Sequence, residues 1–293
     1  MTKLNRILAA TDLSAPSYQA IERAAMICKE TGASLDLIRV IKASPMEKFR
    51  QLIKQGSGKV KPPAHDTSPE KLDELAGTLR ERHNVPACTH VAAGNVFSEL
   101  TRKINEVEPD LVVLGARGER FMRHLLLGST AERILNHAKY PILVVKQSAH
   151  QPYCRILVPV DFSEFSLRAA RNARLLAPYA EIVLLHAFEI SHEKSLKNAS
   201  DEKTINHHRM LAENEATDKL RAFSQDAGLS STHPRLLVEH GDPSLKILEQ
   251  SEALGCDLIV MGRHGKSRLE ALLLGSVTKH VLAIAQCDTL VSL

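Results

Sequence analysis

Apolar residues along this chain gather into short runs separated by amphipathic stretches, and the order of runs is the same in both halves. In the first half Arg6–Thr11 reads as a strand, Ala15–Thr31 as a helix closed by Gly32, and residues 35–41 as a second strand. Ser44-Pro45-Met46-Glu47 has the form of a capping box opening a short helix through Phe49, Leu52 and Ile53. Ser68-Pro69 opens another, with Leu72, Leu75, Ala76 and Leu79 at helical spacing. Residues 88–92, 111–114 and 142–145 supply three further strands, with helices beginning at Val96 and Ser129. The second half repeats this order with one long polar helix, roughly 201–227, in place of the two short ones. Strand runs that are almost wholly apolar belong to a parallel sheet covered on both faces. Each half is therefore expected to be an open, doubly wound α/β domain.

The recurrence is literal. RILAATDLS at 6–14 returns as RILVPVDFS at 155–163, an offset of 149, while DLVVLGARG at 110–118 returns as DLIVMGRHG at 257–265, an offset of 147. LLLGS at 125–129 returns at 272–276. A duplicated unit of this length matches an ordinary domain. The expected domains are 1–148 and 152–293, joined through the polar stretch QSAHQPY at 147–153.

Composition narrows the chemistry. Of 293 residues, 44% are hydrophobic and 25% charged, and no apolar run is long enough to span a membrane, so neither membrane insertion nor disorder is expected. The opening MTKLNRILAATD lacks the apolar core of a signal peptide, which suggests a cytoplasmic protein. Five cysteines without a CxxC pair suit reduced, mostly buried thiols. A formal charge of +4, spread along a chain with 4% aromatics and no Trp, argues against nucleic acid as partner and suits small anions.

In doubly wound sheets ligands bind beyond the carboxyl ends of the strands, where the strand order reverses. Asp12 and Asp161 follow the first strand of each half, and Gly115 and Gly262 follow the fourth. The fourth-strand loops read Gly115-Ala-Arg-Gly118, nine residues, then Gly128-Ser129, and Gly262-Arg-His-Gly265, nine residues, then Gly275-Ser276. Glycines three apart can turn amide groups toward an anion, and a Gly-Ser at a helix start offers unpaired N–H groups to phosphate oxygens. Arg117, Arg120, Arg123 and His124 surround the first loop; Arg263, His264, Lys266 and Arg268 surround the second. The same signals serve a turn that holds only itself, since Ser129 and Glu132 have capping-box spacing. Two copies, each with its strand-end aspartate, weigh toward a polyphosphate ligand.

G-x2-G-x9-G-[ST] after an apolar strand, with ILxxxDxS at the start of each half, resembles the universal stress protein family in its tandem form, across nearly the whole chain. The resemblance implies two Rossmann-like domains, each a five-stranded parallel sheet of order 3-2-1-4-5, and ATP or a related adenine nucleotide as ligand. It implies that Asp12 and Asp161 contact the adenosine end, with the backbone of Val40 or Ala187, after the second strand, beside the base. Gly115, Gly118 and Gly128, or Gly262, Gly265 and Gly275, would line the phosphate loop. Ser129 and Thr130, or Ser276 and Thr278 with Val277 between them, would meet phosphate oxygens. Ala131 stands where the second copy has Thr278, which removes one hydroxyl from the first set. The family's last strand pairs with a counterpart in another domain, implying pairing within the chain, with a homodimer as the alternative. Here Asp288 replaces Pro141 in that strand.

Other signals fail on spacing. GSGKV at 56–60 lacks the distant glycine and the Ser or Thr of a phosphate-binding P-loop. His207-His208 point to different sides of a helix, and Cys88-Thr-His90 lacks two ligands for zinc. Magnesium held by phosphates and water is the metal expected with ATP. No catalytic triad can be assigned. The expectation is a nucleotide-binding stress-response protein that regulates partners or assembly, and at most a weak ATPase. The alternatives are an interaction protein or small-ligand carrier independent of nucleotide, and a slow ATP hydrolase.

Overall fold

A computed structural model of the protein describes residues 3–41, 68–116, 128–189, 202–265 and 274–293. The short helix expected at 44–53, the GSGKV stretch, Gly118, and the cations expected at 117–124 and 266–268 lie outside these residues. The chain divides into two compact units, Met1–Pro152 and Tyr153–Leu293.

In the first unit the described elements are β1 (Arg6–Thr11), α1 (Ala15–Thr31), β2 (Ser34–Ile41), α2 (Ser68–His83), β3 (Ala87–Ala93), α3 (Val96–Val107), β4 (Leu111–Gly115), α4 (Ser129–His137) and β5 (Ile142–Val145). The second contains β6 (Arg155–Pro159), α5 (Glu164–Leu176), β7 (Glu181–Phe188), α6 (Glu202–Asp226), a 3-10 turn, β8 (Arg235–His240), α7 (Pro243–Ala253), β9 (Leu258–Gly262), α8 (Ser276–Ile284) and β10 (Asp288–Ser292). Strand order is β3-β2-β1-β4-β5 in the first and β8-β7-β6-β9-β10 in the second, every pair within a unit being parallel. Both units are thus Rossmann-like sheets of order 3-2-1-4-5. No described helix is long and apolar enough to cross a membrane.

The strands form where the apolar runs stand because helices cover both faces. Ile7, Leu8, Leu37, Val113 and Leu143 are buried in the first unit, and Leu157, Val183, Ile259 and Val281 in the second. Each fully buried aliphatic side chain contributes about 1.5–3 kcal/mol. Asn95 and Asp242 cap α3 and α7 through bonds from the Ser98 and Leu245 amides, at 3.2 and 3.0 Å.

The copies diverge at a buried position of the second strand. Asp36, in the middle of β2, accepts from Arg6 Nε at 2.8 Å and from His90 Nε2 at 2.6 Å. By strand register its place in the second unit belongs to Val183, since Arg6 lies opposite Ser34 and Arg155 opposite Glu181. The last strand diverges too: Asp288, where the first unit has Pro141, is buried and accepts from the Tyr153 hydroxyl at 2.7 Å.

Candidate functional site

The aspartate after the first strand folds into the same turn in both units. Asp161 Oδ1 accepts from the Ser163 amide at 3.1 Å and its hydroxyl at 2.6 Å; Asp12 Oδ1 accepts the same pair from Ser14 at 3.0 and 2.5 Å. The residue between them, Phe162 or Leu13, is left-handed with φ of 63° in each case. A branched or bulky residue held there is strained by about 1–3 kcal/mol, and the repeated turn imposes it twice. Ser163 then caps α5, accepting from Ser166 N at 3.3 Å.

The fourth strand delivers the other half of the crevice. In the second unit a β-carbon added to Gly265 would lie 2.8 Å from Asp161 Oδ2, so the glycine loop and the strand-end carboxylate are neighbours. Gly262 has a different reason for being glycine. Its β-carbon would meet the Phe165 β-carbon at 2.7 Å and the Phe165 backbone at 3.0 Å, so it admits helix α5 against β9.

Both loops are clamped at their base. Arg263 N donates to Ser292 O at 2.8 Å while its carbonyl accepts from Gly275 N at 2.9 Å; Ala116 does the same with Val145 and Gly128, at 2.9 and 2.8 Å. Gly275 and Gly128 are the N-caps of α8 and α4, and neither helix has a side-chain cap. The capping box expected of Ser129 and Glu132 is therefore corrected. Ser129 is the first helical residue, and Glu132 N bonds to the Gly128 carbonyl at 3.0 Å. Helical geometry leaves the amides of Ser276, Val277 and Thr278, and of Ser129 and Thr130, without intrahelical acceptors at the positive end of a helix dipole. Ser276 and Ser129 are exposed there. Thr278 is not: it is buried, and its hydroxyl donates to the Gly262 carbonyl at 3.0 Å, fastening α8 to β9. Buried Ala131 takes that place in the first unit. Arg263 is also buried beside the loop, and burial lowers the pKa of its guanidinium.

Val40 and Ala187 lie inside β2 and β7, opposite Ala92 and Glu239, rather than after the strands. Their strand ends border the aspartate turns, since Arg39 Nη1 donates to Asp12 O at 3.3 Å and His186 Nδ1 bonds to Val160 O at 2.7 Å. Among the described residues, the second unit thus brings together Asp161, Gly262, Gly265, Gly275, Ser276, Val277 and Thr278, with Ala187 on the far side of the turn. In the first unit Asp12, Val40, Gly115, Gly128, Ser129 and Thr130 occupy the repeated positions.

Sequence reasoning missed Phe162, Phe165, His186 and Arg39. Phe162 packs on His186, with centroids 4.4 Å apart, and on Phe223 at 6.2 Å; Phe165 packs on His264 at 5.4 Å. Setting the two copies against each other would have exposed them, because Leu13 and Pro16 stand at the first unit's counterparts of the two phenylalanines.

A tandem pair of Rossmann-like domains, each with an aspartate turn and a glycine loop at its switch point, defines the class of this protein. The sequence profile of the Universal stress protein family matches residues 3–146 and again 152–292. The chain belongs to the universal stress protein family. A universal stress protein of Methanocaldococcus jannaschii is 33% identical over 161 residues, 54% of this chain and 93% of that protein. One from Mycolicibacterium smegmatis is 28% identical over 223 residues, covering 74% of this chain and 72% of the relative. A solved universal stress protein from Archaeoglobus fulgidus DSM 4304 shares the fold, with a TM-score of 0.71 over 98% of both chains at 21% identity.

Proposed function

We propose that the second unit binds ATP or a related adenine nucleotide, with the triphosphate at the N-terminus of α8, the ribose hydroxyls on Asp161 and the base beside Ala187. The observation that carries this reading is the meeting of Asp161 with Gly265 beside an uncapped helix start. A carboxylate accepts from hydroxyl groups, and the first-turn amides of α8 with the Ser276 hydroxyl donate to phosphate oxygens. Arg263 adds a cation next to the loop. Magnesium would be held by phosphate and water. By sequence correspondence Asp12, Gly115, Gly118, Gly128, Ser129 and Thr130 would form the matching site of the first unit, Gly118 lying outside the described residues.

The regulatory role we attach to this site rests on Thr278. Its bond to Gly262 joins the phosphate-facing helix to β9, so a ligand that favours one position of α8 acts on the sheet as well. Occupancy would then alter the surface offered to a protein partner or to another copy of the chain.

Calorimetric titration of the folded protein with ATP and magnesium tests the reading, with Asp161→Asn as the comparison. Binding that weakens in the variant supports it. Absence of heat and of competition at about millimolar nucleotide would sink it.

A further inference from the structure

We propose that the residue near the end of each unit's second strand decides which ligand its crevice accepts. His186, with Phe162 beside it, suits the second unit to the flat ring of a nucleobase; Arg39 suits the first unit to a ligand carrying an anionic group at that place. The inference rests on the nucleotide reading of the second unit and separates the first from it.

Arg39 and His186 are the same position in the repeated fold. Arg6 lies opposite Ser34 and Arg155 opposite Glu181, and five residues further along each strand pair stand Arg39 and His186. Both lean on the aspartate turn: Arg39 Nη1 donates to the Asp12 carbonyl, and His186 Nδ1 to the Val160 carbonyl. A carbonyl only accepts, so this bond fixes the proton on Nδ1 and with it the ring's orientation. The two side chains nevertheless offer a ligand different chemistry.

Around His186 the second unit gathers rings. Phe162 lies against it, with 4.4 Å between centroids and 44° between planes, and the edge of Phe223 supports Phe162 at 76°. Phe188 and His240, at the ends of β7 and β8, form a further edge contact at 5.4 Å. Four of the chain's seven phenylalanines, Phe162, Phe165, Phe188 and Phe223, lie in the second unit, and each makes a ring contact there. At the counterparts of Phe162, Phe165 and Phe188 the first unit has Leu13, Pro16 and Ile41. Every nucleobase has a π-face, so a ring-lined rim gains affinity from stacking where an aliphatic one does not.

Arg39 offers the first unit a permanent charge and a planar fork of donors, the geometry that matches carboxylate or phosphate. Its Nε is buried and has no hydrogen-bond partner among the described residues. A buried donor left in that state costs free energy, so the guanidinium gains by turning its fork toward an anionic acceptor that enters the crevice. An adenine ring in the same place supplies no charge.

The test is calorimetry on the full chain with ATP, adenosine and tripolyphosphate, for wild type and the exchanges Arg39→His, His186→Arg and Phe162→Leu. Thermal melts report folding. We expect one ATP per wild-type chain. His186→Arg and Phe162→Leu should each weaken ATP by about tenfold while changing tripolyphosphate by less than about threefold. Arg39→His should add a second ATP equivalent. If His186→Arg fails to fold, Phe162→Leu reads the same stacking surface. Two equal ATP sites in wild type, or unchanged ATP affinity in folded His186→Arg and Phe162→Leu, would overturn the proposal; an unchanged stoichiometry in Arg39→His would overturn its first-unit half. Tripolyphosphate binding as tightly as ATP removes the base-selective rim and leaves the phosphate site standing. Failure of both ligands removes the nucleotide reading itself, and this inference with it.

Discussion

Gly265 and Asp161 stand so close that a β-carbon on the glycine would lie 2.8 Å from the aspartate's Oδ2. The other carboxylate oxygen is held by the Ser163 amide and hydroxyl, so the carboxylate has little room to retreat. The loop after β9 and the turn after β6 therefore set each other's position. Gly265→Val should weaken ATP binding by about tenfold or more while lowering stability by only ~1 kcal/mol, because loop and carboxylate can part without disturbing the core. Calorimetry beside urea unfolding measures both, and wild-type affinity would show that the contact does not shape the site.

Gly262 should behave in the opposite sense. A methyl there meets the β-carbon and the backbone of Phe165, in the first turn of α5, and a helix backbone packed against β9 cannot rotate away. Gly262→Ala is expected to destabilise the second unit by ~1–3 kcal/mol, more than Gly265→Ala does. Equal unfolding midpoints for the two variants would show that α5 yields to the methyl.

Thr278 and Ser276 separate fastening from binding. Thr278→Val removes the hydroxyl that serves the Gly262 carbonyl and should cost ~1–2 kcal/mol. Ser276→Ala, at an exposed first-turn position, should change stability by less than ~0.5 kcal/mol yet weaken nucleotide binding. The reverse pattern would make Thr278 the phosphate ligand.

Much of this architecture is legible in the sequence. Runs such as Leu111-Val-Val-Leu114 and Ile142–Val145 read as strands because a sheet covered on both faces tolerates apolar residues at every position. The aspartates and glycines stood out because the chain carries them twice. What stayed hidden depends on contacts between elements distant in sequence. Spacing made Ser129 a cap, but the cap is set by backbone angles, and it is Gly128 that holds the extended conformation, at φ −68° and ψ 143°. The inward turn of the Thr278 hydroxyl, onto the Gly262 carbonyl, depends on packing between α8 and β9 that residue spacing does not show. Phe162, in the turn after β6, meets His186 on β7, and Asp36 is a charge inside an apolar run that Arg6 and His90 explain.

The five thiols should divide sharply. Burial pushes the Cys28 thiol up to about 12 and that of Cys256 to about 11, and Cys287 is also buried, whereas Cys88 and Cys154 are exposed. Thiolate is the reactive form, so a maleimide or disulfide reagent near neutral pH should label Cys88 and Cys154 in the folded protein and all five in denaturant. Mass spectrometry of labelled peptides checks the assignment, and early labelling of Cys28 would contradict its place in the core.

Asp36 makes the first unit sensitive to acid. Burial alone would raise its carboxyl, but hydrogen bonds and charge from Arg6 and His90 outweigh that and hold it below the ordinary value of 3.8. The unfolded chain then takes up this proton more readily than the folded one. The group's stabilisation is complete above the unfolded value and is lost as pH falls through the lower, folded one. Asp36→Asn leaves Arg6 without its carboxylate, so the variant should be less stable at neutral pH, where the Asp36 contribution is intact. As pH falls below the ordinary carboxylate range the gap between wild type and variant should narrow, because wild type loses by protonation what the variant already lacks. Denaturant unfolding of both proteins across that acid range gives the comparison; parallel stability curves would mean that Asp36 takes up its proton equally in both states.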